Sequence, residues 1–121
     1  MSTKTIVRIE HSSGLGIWQS NAYLNLSNVD SFVYRHKAFP SPKYDTPYLD
    51  RYKEDKEWFC AFKTVDQMSE WLTKEEVKEF IELDCSVICL EVSEWQEGKY
   101  QVLYTKESIV KCTNISDLFR N

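Results

Sequence analysis

Soft ligands are few in this sequence: two His and four Cys among 121 residues. A closed zinc site needs four such ligands. His11, His36, Cys60 and Cys112 would supply them if the ends of the first two strands meet the loop that follows His36. No pair among the four has the close spacing of a zinc motif, so zinc is expected here only if the fold gathers them. Cys60 beside His11 or His36 would also have the composition of an activated thiol, though the spacing neither joins nor separates them. Cys85 and Cys89 read as small buried hydrophobes. No C-x-x-C spacing occurs, and no disulfide is expected. The segment His11-Ser-Ser-Gly-Leu-Gly16 has too few glycines, wrongly spaced, for a dinucleotide fingerprint or a phosphate loop.

A second constellation suits contact rather than catalysis. Tyr44, Tyr48 and Tyr52 recur every four residues beside Asp45, Asp50, Glu54 and Asp55. If the chain is helical from Tyr48, Tyr48 and Tyr52 share a face flanked by carboxylates. Rings supply buried area and carboxylates steer the approach, so this stretch is the expected partner-binding surface, fitted to a basic groove. The competing reading buries the rings and leaves the acids in water. Pro40, Pro42 and Pro47 remove backbone donors and make the stretch before it an irregular loop.

Several elements must hold these residues in place. Thr64-Val-Asp-Gln67 and Thr73-Lys-Glu-Glu76 each set a Thr three residues before Gln or Glu, the spacing of a reciprocal helix cap. Val65, Met68, Trp71 and Leu72 then share one face of the first predicted helix, and Val77, Phe80 and Ile81 one face of the second. Ser27 and Asn28 read as caps for an earlier helix carrying Val29, Phe32, Val33 and His36. Thr3 to Glu10, Trp58 to Phe62 and Ser108 to Cys112 read as strands. Ser86 to Val92 is a nearly continuous apolar run, expected as a central strand covered on both sides. The turn residues Gln96-Glu97-Gly98-Lys99 lead into Tyr100, Val102 and Tyr104 as one arm of a hairpin. The fold class expected is α+β: a single domain over residues 1–121, with a small mixed, mostly antiparallel sheet and helices packed on one face.

Composition bounds the function. With 42% hydrophobic and 14% aromatic residues the chain can fill one core, and only three Gly and three Pro argue against a disordered or repeat architecture. Fifteen basic against nineteen acidic residues leave a net charge of −4, which gives no general hold on a phosphate backbone. Direct nucleic-acid binding is therefore not expected, and an acidic chain approaches basic surfaces more readily. No apolar run reaches the length of a membrane span, and Met1-Ser-Thr-Lys4 lacks the apolar segment of a secretory signal. A soluble protein of the bacterial cytoplasm, with no membrane partner, is the expectation.

Taken together, Val7-Arg8-Ile9-Glu10-His11 with its glycine loop, Pro40-Ser-Pro42, Phe59-Cys-Ala-Phe62, Gln67-Met-Ser-Glu-Trp-Leu72 and Gly98-Lys-Tyr-Gln-Val-Leu-Tyr104 resemble a family of small uncharacterised proteins encoded by phages and prophages. The resemblance implies an accessory phage protein of the kind that includes anti-CRISPR and other anti-defence proteins. Its partner would be a host protein or a protein–nucleic acid complex, bound and blocked without catalysis. The order of strands and helices also resembles the small ADP-ribosyltransferase fold. There an Arg or His on the first strand, a Ser or Thr strand and a Glu on a late strand hold NAD. Arg8 and Thr64 match two of those positions, while Gln101 stands at the third, where an uncharged amide cannot supply the carboxylate. This second resemblance implies an NAD- or nucleotide-binding relative, with NAD as its ligand.

Overall fold

The structure is a computed structural model that describes residues 2–17, 20–36, 57–98 and 101–120, with the side chains of Arg35 and His36 excepted. Its described strands are β1 (Lys4–His11), β2 (Trp58–Ala61), β3 (Cys85–Val92), β4 (Trp95–Glu97), β5 (Val102–Thr105) and β6 (Ile109–Asn114). Its described α-helices are α1 (Val29–His36), α2 (Val65–Trp71) and α3 (Lys74–Glu82). The α+β class expected from the sequence is the one observed. All described strand pairs are antiparallel, and they form two three-stranded sheets rather than one, in the orders β1-β3-β6 and β2-β5-β4.

β1 explains the layering. Its alternate residues face opposite ways. Val7 and Ile9 join Met68, Trp71, Leu72, Val77, Phe80 and Phe32 in a core beneath the helices. Ile6 faces the other way, into a second core with Leu90, Val92, Ala61, Val102 and Tyr104. The first sheet is therefore covered on one face by helices and on the other by the second sheet. This is why β3, the central strand of the first sheet, reads as a continuous apolar run. The sheets meet along a seam where Val7 and Phe62 form an isolated antiparallel bridge.

The helix starts follow the sequence signals, with one difference. At α3 the capping box is complete: Glu76 N donates to Thr73 Oγ1 at 3.2 Å and Thr73 N donates to Glu76 Oε1 at 2.8 Å. At α2 Gln67 N donates to Thr64 Oγ1, but the Gln67 side chain accepts from Lys63 N, one residue earlier than a reciprocal box requires. Ser27 and Asn28 turn their side chains toward α3, where they donate to Glu79 and to the buried Glu76. They tie α1 to α3, an outcome that local cap preference does not contain.

The predicted hairpin arm also finds its partner. β3 does not fold back on β5. It passes through Ser93 and Glu94 into the three-residue β4, and β4 pairs with β5 in the other sheet. All four residues of β5 are buried, because the strand lies in the middle of its sheet. No helix among the described residues is long and apolar enough to cross a membrane.

Candidate functional site

Charge enters the interior at the seam. Residues Ile6, Arg8 and Glu10 project from the same face of β1, so the row that begins with a core Ile continues as a cation and a carboxylate in the space between the sheets. Arg8 is only 5% exposed. Its Nε donates to Glu10 Oε2 at 2.8 Å and its Nη1 to the Cys60 carbonyl at 2.6 Å. Its Cζ stands 5.5 Å from the Phe59 ring centroid and 5.8 Å from that of Tyr104, two rings that face each other across the β2–β5 pair. A buried guanidinium needs such partners, since an unpaired charge in a low-dielectric interior is strongly destabilising.

Three further groups complete the cluster. Lys106 Nζ lies 4.6 Å from the Phe59 centroid and donates to the Gly14 carbonyl at 3.1 Å, which ties the Gly14–Gly16 loop to the cluster. Gly14 has φ +90°, a conformation that side chains resist, and a Cβ at Gly16 would stand 3.5 Å from Arg8 Nη2. Glycine at 16 thus lets the loop backbone pass close to that edge of the guanidinium. Tyr104 is fully buried and its hydroxyl has no hydrogen-bond partner among the described residues. Burial pushes its pKa well above the ordinary phenol value, outweighing the opposing pull of Arg8, so at neutral pH the hydroxyl carries its proton and is available to donate.

The transferase-type positions are neighbours in the chain fold. β1 meets the residue after β2 at the Val7–Phe62 bridge, and β2 pairs with β5, so the segments bearing Arg8, Thr64 and Gln101 run side by side. Their side chains are used differently. Arg8 faces the inter-sheet space, and exposed Thr64 caps α2. Gln101 is buried one residue ahead of Val102 and Tyr104's face, so strand alternation assigns its side chain the opposite face.

The described metal candidates form no three-residue cluster. His11 Nδ1 accepts from Ser13 N at 3.1 Å within its own turn, Cys60 lies on β2, and Cys112 is exposed on β6. Among the described residues no group of three or more His, Cys, Asp or Glu could hold a metal ion, so His11, Cys60 and Cys112 do not form one. The His36 side chain lies outside the described residues, as do Tyr44, Asp45, Tyr48, Asp50, Tyr52, Glu54 and Asp55.

Sequence reasoning singled out Arg8 and missed the residues around it. Glu10 carried a signal, since positions two apart on a strand share a face. Phe59, Tyr104, Lys106 and the two glycines carried none, because only the crossing of the sheets brings them to Arg8. No curated protein and no solved structure matches the chain. A family model described as Bacteriophage T4 Y00F protein matches residues 1–117, and the chain belongs to that phage protein family.

Proposed function

We propose that this phage accessory-type protein acts by binding: it occupies a basic or nucleic-acid-binding surface of a host defence component and performs no catalysis of its own. The observation that supports this most directly is how the three transferase-type residues are employed. Arg8 is held by Glu10, the Cys60 carbonyl and two rings, Thr64 caps a helix, and the third position is an uncharged, buried Gln101. The carboxylate beside Arg8, Glu10, is its ion-pair partner and not a free base. A net charge of −4 and the family's phage context fit an acidic protein that competes for a basic surface.

The test has two stages. Pull-down from host lysate with mass spectrometry names a partner, and the variant Asp50→Lys, Glu54→Lys, Asp55→Lys is then titrated against it at low and physiological salt. The expected result is an unchanged melting temperature, weaker binding and reduced salt sensitivity. Variant affinity equal to that of the wild type at both salt concentrations would place the contact surface elsewhere.

A second reading, an ADP-ribosyltransferase-like nucleotide binder, is favoured by one observation, the adjacency of β1, β2 and β5. Calorimetry with NAD discriminates. Binding by the wild type that disappears in both Arg8→Ala and Gln101→Ala, with the fold intact, would replace the first reading with this one.

A further inference from the structure

The cluster at the seam has more donors than acceptors. A guanidinium has five N–H groups. Two of Arg8's nitrogens are bonded, at Nε and Nη1, whereas Nη2 makes no hydrogen bond among the described residues. Nearby, the Tyr104 hydroxyl is buried with no acceptor among the described residues, which is unfavourable unless something fills that role. Lys106 supplies a second cation against the same Phe59 ring and, among the described residues, is otherwise engaged only by the Gly14 carbonyl. Glu10 neutralises one of the two positive charges, which leaves the cluster cationic.

From this excess we infer that the inter-sheet space beside Gly14–Gly16 is a binding site for a phosphate-type oxyanion, held by Arg8 Nη2, the Tyr104 hydroxyl and Lys106 Nζ. A tetrahedral oxyanion accepts from donors that converge from several directions, and charge-assisted bonds of this kind are the stronger ones. Access is from the loop side, where Lys106, Ser12 and Ser13 are exposed. Lys106 exchanges the Gly14 carbonyl for the anion. Position 16 borders Nη2, the nitrogen that the anion needs, since a Cβ there would stand in van der Waals contact with it. This site is separate from the partner surface proposed above and stands or falls independently of it.

The experiment uses the full chain, with inorganic phosphate as the probe and sodium chloride and acetate as controls at matched ionic strength. Binding is read by calorimetry, and by thermal shift as binding to the native state raises the melting temperature. Phosphate is expected to bind saturably with a Kd of about 1 mM or tighter. Tyr104→Phe is expected to keep or raise the ligand-free melting temperature, because it removes an unsatisfied buried hydroxyl, while weakening phosphate binding about tenfold. Lys106→Ala, at an exposed position, should weaken binding several-fold and reduce its salt dependence. The proposal is overturned if phosphate at about 10 mM behaves as chloride does, if acetate binds as tightly as phosphate, or if Tyr104→Phe binds phosphate like the wild type.

Discussion

Val7 and Phe62 exchange two backbone hydrogen bonds, Val7 N to the Phe62 carbonyl at 2.9 Å and Phe62 N to the Val7 carbonyl at 2.7 Å. This short ladder is where the first sheet hands over to the second, and the Phe62 ring reaches from it into the helical core, edge-on to Trp71 with centroids 5.6 Å apart. The seam is therefore held by both backbone and packing.

Phe62→Ala removes the ring and keeps the backbone bridge. A loss of about 2–3 kcal/mol is expected, less than for a fully buried Phe because Phe62 is only partly covered. Urea denaturation measures it, and a loss under about 1 kcal/mol would mean that the ring contributes little to joining the layers.

Glu76 is 1% exposed and accepts from Thr73 N and from Asn28 Nδ2, so one carboxylate both starts α3 and anchors the chain before α1. Thr73→Ala removes only the other half of the box and should cost about 1 kcal/mol. Glu76→Ala leaves two donors without their acceptor and should cost about 3 kcal/mol. Paired denaturation curves decide the order, and equal losses would reduce Glu76 to a local cap.

Lys4 on β1 and Glu97 on β4 form an ion pair between the two sheets. The hydrogen bond from Lys4 is the main cause that holds the Glu97 pKa below the usual carboxylate value. A lowered folded-state pKa adds stability at pH above the unfolded value, and that gain is lost as the pH falls through the folded value. Both side chains are substantially exposed, so Glu97→Gln should cost at most about 1 kcal/mol at pH 7. The difference between variant and wild type should shrink as the pH falls through the folded-state value and vanish below it. A difference independent of pH would assign the effect to packing.

Burial, helped by Asp84, pushes the Cys85 thiol up to about 11, and its side chain is closed off in the helical core. At pH 8 only about one molecule in a thousand then carries the Cys85 thiolate. Cys112 is raised as well, by burial and by Glu10, but it is exposed on β6. Iodoacetamide under native conditions should label Cys112 well before Cys85, with peptide mass spectrometry as the readout. Equal rates would show that the core around Cys85 opens on the timescale of labelling.

Local signals were sufficient for much of the secondary structure. The Thr64 and Thr73 starts and the apolar run of β3 are set by side chains reaching a few residues along the chain, or by a periodicity visible in one stretch. Arg8 was singled out only through the resemblance of its strand to the first strand of the transferase fold. The assembly around it was not legible. That β3 leaves its sheet to feed β4, that Phe62 bridges to Val7, and that Phe59, Tyr104 and Lys106 close on one guanidinium all depend on contacts between residues distant in sequence. Strand alternation says only that neighbouring residues face opposite ways. Which sheet each face meets was decided by packing, where burying Ile6 and Tyr104 between the layers drew Arg8 in beside them and left the Tyr104 hydroxyl without a partner among the described residues.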